Sequence, residues 1–146
     1  MRRPIIAGNW KANLTRDGAA ALVQQLKAPC DTAAVEVVVC PPFTALAAVA
    51  PLLQGSRIAL GAQDVFWEPS GAFTGEVTPP MLVDLGCRYV IVGHSERRTH
   101  FGESDEAVGR KLRAALAHGL TPIVCIGETL TQREAGQTFD VLARQL

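Results

Sequence analysis

Short apolar runs bounded by Gly, Pro or polar residues recur along the chain at 4–8 (Pro-Ile-Ile-Ala-Gly), 36–40 (Glu-Val-Val-Val-Cys), 58–62 (Ile-Ala-Leu-Gly-Ala), 89–93 (Tyr-Val-Ile-Val-Gly) and 122–126 (Pro-Ile-Val-Cys-Ile). Runs of this length without polar alternation predict strands buried on both faces of a parallel sheet. Between them apolar positions return at helical spacing: Leu14, Gly18, Leu22 and Leu26; then Leu46, Val49, Ala50 and Leu53; then Val108, Leu112, Ala115 and Leu116. Each set predicts a helix with one face on the sheet. Thr78-Pro79 predicts a helix start and Gly86 its end; Ser104 caps a second helix that Gly119 closes. Thr131-Gln132-Arg133-Glu134 reads as a capping box opening a last helix whose apolar face is Ala135, Phe139, Leu142 and Leu146.

The strand starts are separated by 32, 22, 31 and 33 residues, close to one strand-helix unit each. A closed (β/α)8 barrel uses about 31 residues per unit, so this chain holds about five. Two architectures satisfy that count: a five-stranded open, doubly wound α/β domain, or the first five units of a barrel.

Composition narrows the functions. With 14 Lys+Arg against 14 Asp+Glu the chain has no net charge, which excludes a nucleic-acid binder driven by bulk counterion release. Any phosphate must be bound locally. Cys30, Cys40, Cys87 and Cys125 are widely spaced and form no C-x-x-C pair of a zinc or redox site, and three of them sit in or beside apolar runs, which predicts small buried thiols in a reducing compartment. Arg2-Arg3 is followed by too short an apolar stretch for a signal sequence, and no 18-residue apolar run exists; the expectation is a cytoplasmic chain with no membrane partner.

In a parallel α/β fold the site lies at the carboxyl ends of the strands. The residues there are Asn9-Trp10-Lys11, Pro41-Pro42-Phe43, Gln63-Asp64, His94-Ser95-Glu96-Arg97-Arg98 and Gly127-Glu128-Thr129. A helical turn beginning near Ser95 would disfavour an imidazolium at His94 and leave a neutral ring able to donate one hydrogen bond to a carbonyl oxygen. Lys11, one of only three lysines, offers a fixed positive charge if a carboxylate such as Glu96 holds it. The plainer alternatives are a polar loop histidine and a solvated amine.

Gly8-Asn9-Trp10-Lys11, Cys40-Pro41-Pro42-Phe43, Gly61-Ala62-Gln63-Asp64, the run 71–77 (Gly-Ala-Phe-Thr-Gly-Glu-Val), the run 89–98 and Cys125-Ile126-Gly127-Glu128-Thr129 together resemble the triosephosphate isomerase family, in order and across the whole chain. The resemblance implies that residues 1–146 are the N-terminal part of a single (β/α)8 barrel domain. It implies interconversion of dihydroxyacetone phosphate and glyceraldehyde 3-phosphate through an enediolate, in glycolysis and gluconeogenesis, without metal or organic cofactor. By position, His94 and Lys11 are the catalytic pair and Asn9 shapes the substrate pocket with Lys11; a neutral histidine electrophile is a known feature of that family. Ser95, Glu96 and Cys125 support the site, Glu96 as the ionic partner of Lys11. The 15-residue segment 64–78 is long for a connection and carries Val65, Phe66, Trp67 and Phe73, a loop that either folds on its own aromatics or reaches a neighbour. The resemblance implies the latter, with Phe73 and Thr74 at a homodimer interface.

The family's last three units, which carry its glutamate base, its lid and its phosphate loops, have no counterpart in these 146 residues. The expectation is that this chain alone is inactive, exposes unpaired strand edges, and either self-associates or pairs with a complementary C-terminal fragment. The alternatives are an inactive split half-barrel serving as an assembly module, and another phosphosugar enzyme of the barrel class.

Overall fold

A computed structural model describes residues 4–146; the Arg2-Arg3 pair of the signal-sequence argument lies outside them. Five strands form: β1 (Ile5–Asn9), β2 (Glu36–Cys40), β3 (Ile58–Ala62), β4 (Tyr89–Val92) and β5 (Thr121–Val124). Each falls on a predicted run within three residues at either end. The main shift is at β5, which starts at Thr121 and leaves Cys125 and Ile126 in the loop beyond it. All four pairings are parallel and the order is strictly sequential, β1-β2-β3-β4-β5. A doubly wound sheet must reverse direction at a switch point, whereas sequential parallel order is the wall of a (β/α)8 barrel. The open alternative is excluded.

The inner strands β2, β3 and β4 are apolar because their alternating side chains fill two different cores, whereas the edge strand β1 is exposed from Ile5 to Gly8 and β5 is only partly covered, against the expectation of burial on both faces. Val39, Leu60, Val90 and Val92 face the helices and pack with Val23, Leu46, Val49, Leu82 and Leu120. Val38, Cys40, Ala59, Tyr89 and Ile91 form the second cluster on the concave face, joined by Ile123 and Cys125. Gly61 leaves room for the side chains on either side of it: a Cβ there would lie 2.7 Å from Cys40 Sγ and 3.2 Å from Tyr89 Cβ. Burial pushes the Cys40 thiol up to about 12, with Cys87 a smaller cause, and burial alone brings Cys87 to a similar value. Both are inert packing groups.

Helices α1 (Arg16–Asp31), α2 (Phe43–Val49), α3 (Pro79–Asp84), α4 (Ser95–Phe101), α5 (Asp105–Ala117), α6 (Leu130–Glu134) and α7 (Thr138–Gln145) follow, with a 3-10 turn at Ala50–Leu53. Four sequence expectations about the helices need correction. Leu14 lies outside α1, exposed and at φ 71°, so the buried stripe is Ala19 and Val23 with Leu26 and Cys30 at its edge. In α5 Leu116 is exposed, because the buried face runs through Val108, Lys111 and Ala115 and the next residue turns past its edge. The capping box belongs to Thr129, whose Oγ1 accepts from Gln132 N while Gln132 Oε1 accepts from Thr129 N. The predicted last helix is two short ones, broken at Gly136 (φ 71°), and it buries Val141 while Phe139 and Leu146 stay exposed.

The predicted α3 and α5 starts are as expected, Ser104 Oγ accepting from Ala107 N at 3.1 Å. Segment 64–78 packs Phe66 against Trp67 and Phe73, with ring centroids 4.2 and 4.7 Å apart, and buries Val65. Among the described residues no helix is long and apolar enough to cross a membrane, and no three His, Cys, Asp or Glu side chains are grouped to hold a metal ion.

Candidate active site

β4 ends at Val92, and Gly93 at φ 73° turns the chain into α4. A Cβ on Gly93 would meet both Val108 methyls and Arg98 Nη2 at 3.0 Å, so the turn needs glycine for space as well as conformation. His94 is the N-cap: its Nδ1 accepts from Glu96 N at 3.2 Å, and its carbonyl accepts from Arg97 N and Arg98 N. An Nδ1 that accepts a backbone N–H carries no proton, so the ring hydrogen sits on Nε2. Glu96 Oε2 stands 3.5 Å from the same Nδ1 and pulls the other way. The backbone contact decides, being the shorter, since at 3.5 Å Oε2 lies at the limit of hydrogen-bond reach while Oε1 binds Lys11.

Across from this helix start, β1 delivers Asn9 and Lys11. Lys11 adopts φ 54°, a left-handed conformation that costs a non-glycine residue roughly 1–2 kcal/mol. Two side chains hold it there: Asn9 Oδ1 accepts from Lys11 N at 2.9 Å, and Gln63 Nε2 donates to Lys11 O at 2.8 Å and to Cys40 O at 2.9 Å. Lys11 Nζ reaches Glu96 Oε1 at 2.7 Å, and that hydrogen bond holds the Glu96 carboxyl below its usual range. About half of each side chain remains exposed, so the pair is oriented without being sealed from solvent.

Asn9, Lys11, Gln63, His94 and Glu96 line one cavity of about 360 Å³, with Phe43 and Phe101 at its apolar rim. Ser95 and Cys125 line a second hollow of about 250 Å³ on the other side of His94, toward Gly127 and Glu128. Burial raises the Cys125 thiol, with the nearby Arg98 opposing. Phe73 and Thr74 lie on the 64–78 loop and line neither cavity; both are exposed. Glu128 is taken up locally, accepting from Arg133 Nε at 2.6 Å and Thr138 Oγ1 at 3.2 Å.

Sequence reading missed the buried charges behind His94. Lys111 on α5 contacts Asp64 Oδ1 at 2.7 Å and Glu103; Arg97 Nε lies 2.9 Å from Asp64 Oδ2 and 3.2 Å from Glu103 Oε1. The Lys111, Asp64 and Glu103 side chains are all under a tenth exposed. Removing one partner from such a cluster leaves an uncompensated buried charge, at roughly 3–5 kcal/mol. A signal existed: Lys111 falls on the apolar stripe of its helix, between Val108 and Ala115, where a lysine must find a partner.

A sequential parallel βα wall whose strand-end residues converge on one cavity is an enzyme scaffold of the (β/α)8-barrel class. The triosephosphate isomerase family profile matches residues 4–146. A triosephosphate isomerase of Moorella thermoacetica is 61% identical over 146 residues, covering all of this chain and 59% of that protein. One from Chloroflexus aurantiacus is 60% identical over 147 residues, again covering 59% of its length. The crystal structure of triosephosphate isomerase from Bartonella henselae superposes with a TM-score of 0.94 at 40% identity, covering 99% of this chain and 60% of that one. The chain belongs to the triosephosphate isomerase family, and its fold is part of a (β/α)8 barrel. It spans about three-fifths of the length of the curated relatives it matches.

Proposed function

We propose that this chain supplies the electrophilic half of a triosephosphate isomerase site, interconverting dihydroxyacetone phosphate and glyceraldehyde 3-phosphate through an enediolate. The observation that carries the reading is the convergence of Asn9, Lys11 and His94 on one cavity, with the His94 proton on Nε2. His94 Nε2–H donates to the substrate carbonyl oxygen, and Lys11 Nζ places positive charge where the enediolate oxygens become negative. Polarising the carbonyl acidifies the neighbouring C–H bond. Abstraction of that proton falls to the glutamate that the family carries beyond the span matched here, together with its lid and phosphate loops. Ser95, Glu96 and Cys125 support the two arms: Glu96 orients Lys11 through its carboxylate and donates its backbone N–H to His94 Nδ1, while Ser95 and Cys125 line the hollow on the other side of His94.

The whole protein acts as a homodimer in the cytoplasm, serving glycolysis and gluconeogenesis without metal or organic cofactor. Support for the dimer comes from Phe43, Phe73 and Phe101, all at least a third exposed, and from the open mouth of the Lys11 cavity between two of them. Phe73 and Thr74 of one protomer then enter the partner's cavity rim.

Joining this chain to the last three units of a relative such as the Moorella enzyme tests the reading. Lys11→Met in that assembly is expected to lower kcat/KM by about 10²–10³-fold, the worth of one preorganised charge. Unchanged kcat/KM would overturn the role given to Lys11.

A further inference from the structure

Gly93 is gripped from both sides by charged side chains of other elements. Its N–H donates to Glu103 Oε2 at 3.1 Å, and its carbonyl accepts from Arg98 Nε at 2.8 Å. Glu103 is itself fixed through its other oxygen, which takes Lys111 Nζ and Arg97 Nε. Asp64, at the end of β3, completes the set by binding the same two cations through its two oxygens. Two anions and two cations thus tie β3, α4, the α4–α5 connection and α5 to the single residue that precedes His94.

We infer that Glu103 is a positioning residue for His94: its carboxylate fixes the Gly93 turn, and the turn aims the ring so that Nδ1 meets Glu96 N and Nε2 faces the cavity. The geometry leaves little slack. The Gly93 turn is left-handed, with Val108 so near that a side-chain Cβ on Gly93 would come within 3.0 Å of it, and the Nδ1–Glu96 contact is at 3.2 Å, a distance that a small backbone rotation at Gly93 breaks. Once it breaks, the ring loses the donor that keeps Nδ1 unprotonated, and either nitrogen can hold the hydrogen. Lys111 and Arg97 are needed because they orient the carboxylate, and Asp64 because it balances them. Burial opposes ionisation of Glu103, yet the Lys111 and Arg97 contacts outweigh it and hold its carboxyl below the usual range. At Asp64 burial wins over the same two cations and the carboxyl is raised. Glu103 is therefore the anion of the pair that keeps its charge as pH falls.

This inference deepens the proposed role of His94, but its test reads the ring and not turnover, so the two fail separately. The chain joined to the last three units of a relative, labelled with ¹⁵N, is compared as Glu103→Gln, as Asp64→Asn and as Glu68→Gln, a surface control. A glutamine at 103 has one acceptor oxygen for three donors, so the Gly93 N–H is released. Expected is at least tenfold faster exchange of the Gly93 amide, with His94 ring nitrogen shifts moving from a single Nε2–H tautomer toward a mixture. Asp64→Asn moves both in the same direction by less, and Glu68→Gln moves neither. A folded Glu103→Gln chain with unchanged ring shifts overturns the inference even if Gly93 exchange rises, since that pattern is structural support without aim. If Glu103→Gln does not fold, unchanged ring shifts in Asp64→Asn overturn it.

Discussion

Gly93 and Lys11, at the site, sit in left-handed conformations for opposite reasons. Gly93 does so because no side chain fits; Lys11 does so in spite of its side chain, held by Asn9 and Gln63. Gly93→Ala adds strain of about 1–2 kcal/mol from backbone conformation, before any clash with Val108. A lower urea midpoint that corresponds to at least that loss of unfolding free energy, with no change in the dependence on denaturant, is the expected result. Acid acts on the same neighbourhood. The carboxyls of Glu96, Glu103 and Asp105 are all lower in the folded state than their ordinary values of 4.5, 4.5 and 3.8. Their stabilising contribution is complete above those values and is lost as pH falls through the depressed ones. Asp64 is raised, so its part runs the other way: stability falls as pH rises from 3.8 through its folded value. Urea midpoints between pH 7 and pH 3 are expected to fall at the acid end, and Glu103→Gln to flatten that fall.

Elements were legible where one signal sufficed. All five strands were visible as short apolar runs between Gly, Pro or polar residues, but burial on both faces holds only for the inner strands β2 to β4 and fails at the edges, where β1 is exposed from Ile5 to Gly8. Ser104 was readable as a cap from local residues alone, and Thr78-Pro79 as a helix start, although the Thr78 side chain accepts no capping hydrogen bond. Replacing Ser104 by Ala removes the oxygen that takes Ala107 N and is expected to cost about 1 kcal/mol, seen as a lower melting temperature with α5 exchanging faster. Residues 129–146 misled because two capping signals lie two residues apart and the structure uses Thr129, which starts the helix early and lets Gly136 end it. The Leu14 to Leu26 spacing misled because its first member belongs to the loop that turns Lys11 into place. At the site, the strand-end rule singled out Asn9, Lys11 and His94, but no local pattern joins Asp64 to Lys111, which are 47 residues apart and meet only through the fold.

For the whole molecule the outer edges of the sheet matter most. β1 is exposed along most of its length, with Ile6 62% accessible, and β5 leaves Val124 and the following Ile126 partly open. Apolar parallel edges with unpaired backbone groups recruit other strands. The 146-residue chain by itself is expected to sediment as species heavier than 15.6 kDa, and Ile6→Lys to shift it toward the monomer. A compact, stable monomer of the unaltered chain would contradict this. The decisive assay is isomerisation of glyceraldehyde 3-phosphate, run on this chain alone and on this chain joined to the last three units of a relative, each beside its His94→Gln variant. Expected are no activity from the chain alone, and activity from the assembly that His94→Gln lowers by about 10²–10³-fold, the loss of one oxyanion donor. An assembly whose activity is the same with and without the His94→Gln substitution would show that this ring is not the electrophile.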